Sequence, residues 1–188
     1  LNAVGVDWTL VGGDFRSFNP PQPSTDNVGW WGSWDDQSNY YWREDFRKAK
    51  ALFDDRLEGH YYAIRGNNDR PLEVYREFFP RDEFPRWFWF EEDGARYVFL
   101  DSDPDAGYHI LDERQNFVSA PQVSMLERLM DEDAEIPTFV FCHTPLTKHR
   151  RIADGWDVGK GSGYRVSLNY QSVQHVLERG NTVVVNTG

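Results

Sequence analysis

Two kinds of apolar pattern alternate along this chain. Short runs of β-branched and aromatic residues are typical of β-strands, and apolar residues that recur every three or four positions are typical of helices that bury one face. The predicted strands lie at residues 9–11, 61–64, 87–90, 97–100, 138–142 and 182–185, and the predicted helices at 43–57, 71–79, 119–130 and 173–177. This alternation predicts an α/β fold, with one hairpin where Asp93 and Gly94 separate two strands.

The length of 188 residues suits one domain with a substantial hydrophobic core, and no internal repeat is visible. Residues 19–42 are rich in Pro, Ser, Asn, Asp and Trp and lack periodicity, so they are predicted to form a long loop. Aromatic residues in this loop could stack on a base or sugar, although a small cluster that pins the loop is the simpler interpretation. We therefore predict a single domain over residues 1–188 with an aromatic-rich insertion loop at 19–42.

The composition is strongly acidic. The chain has 31 Asp and Glu against 20 Lys and Arg, which gives a formal net charge of −11. This charge disfavours non-specific binding to nucleic acids, which requires clustered cations. A phosphate substrate is still possible, because bound divalent metal ions reverse the local field in an acidic cleft. An acidic, lysine-poor surface also suits a halophilic source, since salt screens repulsion between charges.

Cys142 is the single cysteine, which excludes an internal disulfide and any cysteine-based zinc site. The longest apolar runs span only a few residues, so we expect no membrane-spanning segment. No signal peptide is visible either. These features favour a cytoplasmic location.

Three of the predicted strands are followed by a polar residue that could bind a metal ion: Asp14, Asn67 and His143. In α/β folds the loops at the carboxyl ends of the strands form the ligand crevice. Convergence of these three ends would combine a carboxylate, a carboxamide oxygen and an imidazole, which divalent metal ions accept together. Each residue alone is more simply a turn or loop residue, and only the ordered set indicates a metal site.

Short motifs around these residues resemble those of the calcineurin-like metallophosphoesterases. Residues 11–14 (Val-Gly-Gly-Asp) resemble the second motif, residues 66–69 (Gly-Asn-Asn-Asp) the Gly-Asn-His-Asp/Glu motif, and residues 141–146 (Phe-Cys-His-Thr-Pro-Leu) the fourth. Residues 99–102 and 119–129 resemble the strand after the third motif and the helix before the fourth. The resemblance therefore covers almost the whole chain.

The resemblance implies a four-layer αββα sandwich with two adjacent divalent metal ions. Mn, Fe, Zn, Ni or Mg would serve, with Mn²⁺ as the first choice. It implies that Asp14 bridges the two ions, that Asn67 and His143 hold one of them, and that the protein hydrolyses phosphate esters by two-metal catalysis. The expected substrate is a small phosphate ester or a nucleotide.

One position departs from the family pattern. Asn68 stands where most relatives have a catalytic His, and Asp69 stands where an acidic residue orients that His. A carboxamide cannot donate a proton as imidazole does, and similar branches act on phosphodiesters, which favours a phosphodiester over a phosphomonoester. Asn68 and Asp69 are the candidate catalytic residues, with a loop cap as the alternative for Asp69. Arg70 and His149 are candidates for binding substrate, although ordinary surface positions would also explain them.

The resemblance also predicts motifs outside the chain. An Asp-x-His motif is expected before Leu1, and the His-x-His of the last motif is expected after Gly188. The sandwich is then incomplete at both ends, and the chain alone is expected to be inactive and to bind metal weakly. The alternatives are a degenerate phosphoesterase-fold module that only binds a ligand or partner, and a structural module of a larger assembly. The flanking sequence would discriminate between them.

Overall fold

A computed structural model describes residues 7–15, 36–66, 69, 72–102, 117–146 and 169–187. In these ranges the chain forms six strands and four helices, which confirms a mixed α/β class. The elements in chain order are β1 (Trp8–Val11), α1 (Asp36–Arg56), β2 (His60–Ala63), α2 (Leu72–Phe78), β3 (Phe88–Glu92), β4 (Ala95–Leu100), α3 (Ala120–Glu132), β5 (Thr138–Cys142), α4 (Tyr170–Leu177) and β6 (Thr182–Asn186). None of the helices found in these ranges is long and apolar enough to cross a membrane.

The chain divides into two compact units, Leu1–Pro85 and Arg86–Gly188. The expectation of a single domain over residues 1–188 stays a prediction. The first unit contains a parallel pair of strands, in which Trp8 of β1 lies opposite His60 of β2 and Val11 opposite Ala63. One face of this pair packs on α1 and α2. The buried residues of that core are Phe46, Tyr61, Ala63, Val74, Tyr75 and Phe79.

Helix α1 begins at Asp36, seven residues before the predicted start, so the predicted loop 19–42 is wrong over its last seven residues. The sequence of this extra part has no apolar periodicity, which is why its helical state was missed. Trp42 packs against the first core and lies one turn before the buried Phe46. The remainder of the predicted insertion loop, residues 19–35, lies outside the described residues.

The second unit contains a four-stranded sheet in the order β3-β4-β5-β6. Strand β3 runs antiparallel to β4, and β4, β5 and β6 are parallel. Asp93 and Gly94 join β3 to β4 with φ of 49° and 75°. Positive φ at both central residues is the requirement of a type I′ turn, which matches the twist of a hairpin. The predicted hairpin is therefore confirmed.

The two faces of this sheet differ. One face packs on α3 and α4, where Leu126 and Leu129 meet strand residues that include Val98 and Val140. The other face carries six aromatic rings with neighbouring centroids 4.4 to 6.5 Å apart. These rings belong to Phe88, Phe90, Tyr97, Phe99, Phe139 and Phe141. Because both helices that the structure describes in this unit pack on the first face, the aromatic face carries neither of them.

Ser119 and Gln122 have the spacing of a capping box, but the start of α3 is held differently. The Ser119 side chain makes no cap hydrogen bond to the helix backbone. Instead, the buried Gln122 carboxamide accepts the Asp101 backbone N–H at 2.9 Å and donates to the Asp101 carbonyl oxygen at 2.9 Å. A carboxamide can do both because it carries a donor and an acceptor. Gln122 therefore fixes the end of β4 in the way a neighbouring strand would.

Leu126→Ala tests the core of the second unit. Leu126 is fully buried, whereas Leu52 on α1 is 54 % exposed. Leu126→Ala is expected to lower the free energy of unfolding by about 2 to 5 kcal/mol, because it removes buried apolar contacts and leaves a cavity. The matched control Leu52→Ala should change it by no more than about 0.5 kcal/mol. Urea unfolding of both variants measures the difference, and equal effects would contradict the assigned core.

Candidate metal centre

One buried carboxylate joins the loops that follow β1 and β2. Oδ2 of Asp69 accepts the backbone N–H groups of Asp14 and Gly66, both at 2.8 Å, and Oδ1 accepts the N–H of Phe15 at 2.7 Å. The Asp69 side chain is completely shielded from solvent. Hydrogen bonds to an ionised acceptor are roughly twice as strong as neutral ones. This carboxylate therefore holds together two chain segments that lie 55 residues apart in sequence.

The electrostatics of Asp69 reflect its burial. Desolvation raises the pKa of Asp69 to about 6, and the neighbouring Asp14 carboxylate also raises it, while the three backbone N–H groups lower it. Two carboxylates therefore lie close enough to repel each other, one buried and one exposed. A cation at the exposed carboxylate would relieve this repulsion.

Asp14 has an unusual backbone conformation. Its φ is 57°, in the left-handed region that Asp and Asn tolerate better than most residues other than glycine. The next residue, Phe15, anchors the loop because its ring packs on Phe53 and Phe79 at centroid distances of 5.4 and 5.2 Å. Asp14 itself is exposed. The loop thus buries its aromatic residue and presents its carboxylate at the surface.

Gly66 permits the close approach of the two loops. A Cβ atom added at Gly66 would overlap the backbone nitrogen and a carboxylate oxygen of Asp14, and it would lie 2.9 Å from the Asp14 carboxyl carbon. Any side chain at position 66 would therefore push Asp14 away. The Asp14 carboxylate rests directly against the Gly66 backbone, one residue before Asn67 in sequence.

A second group of polar residues lies at the carboxyl edge of the four-stranded sheet. His143 is buried directly after β5, and its Nδ1 lies 3.5 Å from Oγ1 of Thr187, which follows β6. Ser102, which follows β4, accepts the Thr144 N–H through Oγ at 3.2 Å. Ser102 and Thr187 were not predicted to lie at this edge. Their place within two residues of the ends of parallel strands was the signal that could have identified them.

Two other reactive groups near this edge are occupied or inert. Asp101 is buried and forms an ion pair with Arg86, whose Nε lies 2.5 Å from Oδ2. Burial raises the pKa of the Cys142 thiol to about 12, so this thiol stays protonated near neutral pH. A neutral buried thiol is a poor nucleophile and a poor metal ligand. Of the three side chains considered at this edge, His143 remains the candidate metal ligand.

The structure describes three of the candidate site residues. Asp14 and Asp69 are brought together in the first unit, and His143 belongs to the second. The other candidates lie outside the described residues: Asn67, Asn68, Arg70 and His149. Within the described ranges, no group of three or more His, Cys, Asp or Glu side chains could hold a metal ion.

Comparison of the sequence with models of known protein families gives no match, and comparison with curated proteins gives none either. The resemblance to the calcineurin-like metallophosphoesterases therefore stays a prediction from the short sequence motifs.

Gly66→Ala tests the close approach of the loops. The added methyl group should displace Asp14 and lower the free energy of unfolding by about 1 to 3 kcal/mol, as overpacking does. Gly94→Ala is the control, because a Cβ at Gly94 meets nothing within 4 Å although its φ is +75°. Both variants should lose stability, but only Gly66→Ala should shift the amide resonances of Asp14 and Phe15 in a ¹H–¹⁵N spectrum. Unchanged Asp14 and Phe15 signals in Gly66→Ala would disprove the contact.

Proposed function

We propose that this chain is part of a metal-dependent phosphoesterase whose dinuclear centre is bridged by Asp14. The observation that carries the proposal is the Asp14 carboxylate itself. It is exposed at the carboxyl end of β1, it rests against Gly66 in the loop after β2, and its backbone is held by Asp69. A rigid carboxylate at the shared edge of two parallel strands is a suitable ligand for a hard divalent cation.

The donor chemistry fits a divalent ion. Asp14 supplies an exposed carboxylate, and the buried carboxylate of Asp69 adds negative charge behind it without being exposed itself. Asn67, the residue after Gly66 in sequence, would supply a carboxamide oxygen. His143 would supply a ring nitrogen. Its Nδ1 lies 3.5 Å from the Thr187 hydroxyl oxygen, a contact that would orient the ring of a metal-binding histidine.

The architecture of both sheets supports the finer fold proposal, a four-layer αββα sandwich. Such a fold needs two sheets that each bury one face on helices and keep an apolar opposite face. The four-stranded sheet has this property, with α3 and α4 on one face and aromatic rings on the other. The β1-β2 pair also has one face on helices and an apolar opposite face. That second face carries Trp8 and Tyr62, whose ring centroids lie 5.7 Å apart.

The proposed reaction assigns a task to each residue. Asp14, Asn67 and His143 would hold the ions, which would supply Lewis-acid stabilisation of the phosphate and a lowered pKa for an attacking water. His143 is buried, which restricts the orientation of its ring. Asn68 cannot protonate a leaving group in the neutral pH range. The proposed substrate is therefore a phosphodiester in preference to a phosphomonoester, with Arg70 and His149 as candidate contacts to its phosphate.

Asp14→Asn and His143→Ala test the centre in the full-length protein, including any residues before Leu1 or after Gly188. With Mn²⁺ and a chromogenic phosphodiester, each variant should lose more than about 100-fold in kcat/KM, since even outer partners of metal ligands contribute about 10- to 100-fold. The control is Asp54→Asn, because among the described residues the Asp54 carboxylate binds Lys50 and Tyr61 and no candidate site residue. Full activity of Asp14→Asn would refute the proposed centre. Metal binding without hydrolysis in the wild type would support the degenerate module instead.

Asn68→His tests the substrate preference. A histidine at this position would restore a proton donor, so the ratio of phosphomonoester to phosphodiester hydrolysis should rise at least about tenfold, a lower bound beneath the roughly 100- to 10,000-fold contribution usual for general acid catalysis. The gain should be larger for phenyl phosphate than for p-nitrophenyl phosphate, because the poorer leaving group needs the proton more. If hydrolysis of every ester stayed unchanged, residue 68 would not influence the chemistry.

A further inference from the structure

We infer that Asp69 is a positioning residue, which sets the conformation of Asp14 and the spacing between the two metal-binding loops. The inference rests on the proposed function for its effect on metal binding. It differs from a catalytic role, in which the Asp69 carboxylate would touch the substrate or a reacting group. The contacts of both oxygens decide between the two roles.

Both oxygens of Asp69 are engaged inside the protein. Oδ2 accepts two backbone N–H groups and Oδ1 accepts a third, at 2.7 to 2.8 Å. The side chain has no exposed surface. A carboxylate in this state presents no oxygen to a substrate. Among the described residues, the hydrogen bonds of this carboxylate go to these three backbone groups.

The first of these effects is on Asp14. Its N–H and that of Phe15 are consecutive in the chain and point to the same carboxylate. Consecutive N–H groups converge on one anion when a residue between them adopts a left-handed conformation, as Asp14 does with φ of 57°. Without the anion, both N–H groups would lose their acceptor at a partly buried position, which costs free energy. The loop would then relax, and the Asp14 carboxylate would move.

The second effect is on the distance between the loops. The oxygen that accepts the Asp14 N–H also accepts the Gly66 N–H. One atom therefore fixes the separation of residues 14 and 66. Asp69 thus sets the position of the proposed ligand Asp14 relative to the loop after β2 without binding the metal ion.

Asp69→Asn tests the inference, because a carboxamide has the same shape but presents its NH₂ group to at least one of the three N–H donors. Mn²⁺ affinity of the full-length variant should fall about 10- to 100-fold, the usual effect of an outer partner. Amide hydrogen exchange at Asp14, Phe15 and Gly66 in the metal-free protein should be at least tenfold faster than in the wild type, as an order-of-magnitude expectation for weakened local hydrogen bonding. The control Asp54→Asn, which also neutralises one carboxylate of the first unit, should leave both measurements within about twofold.

The wild type supplies a second test that does not depend on the folding of a variant. Although Asp14 is exposed, its amide and that of Phe15 should exchange slowly, because Asp69 binds both. Rapid exchange of these amides would overturn the inference, as would an unchanged Mn²⁺ affinity in Asp69→Asn when Asp14→Asn loses binding. If the wild type bound no Mn²⁺, the proposed function would fail, while slow exchange that is lost in Asp69→Asn would still support Asp69 as the link between the loops.

Discussion

The proposed centre depends on the three hydrogen bonds that the buried Asp69 carboxylate accepts from backbone N–H groups. Removing a charged group from water is costly, and three backbone N–H groups offset that cost. The same three bonds satisfy backbone donors just beyond β1 and β2 that would otherwise lose this acceptor at buried or partly buried positions. One side chain therefore serves the stability of the first unit and the geometry of Asp14 at once.

Much of the fold follows from patterns that the sequence shows directly. The strand at 138–142 has the predicted limits, and Asp93 with Gly94 forms the predicted turn. Helix α1 was predicted too short because its first two turns lack apolar periodicity and are held partly by Trp42. The role of Gln122 was also missed, because its partner at Asp101 lies 21 residues away and no local rule connects them.

In the candidate site too, features that depend on adjacent residues were predicted, and contacts between residues far apart in sequence were not. Asp14 was predicted as a candidate metal ligand because a strand followed by two glycines and an acidic residue can be recognised from neighbouring residues alone. The burial of Asp69 was not predicted, since it depends on how two loops 55 residues apart in sequence meet in space. The close approach of His143 to Thr187 likewise depends on the parallel register of β5 and β6. Contacts of this kind follow from strand order, which apolar periodicity does not specify.

The left-handed backbone of Asp14 restricts which amino acids this position can accept. β-Branched and bulky residues would be strained there, so only Gly, Asn and Asp fit at low conformational cost. Of these three, Asp alone carries a negative charge. Asp is thus the one amino acid of these three that combines a low conformational cost at this position with a negatively charged side chain.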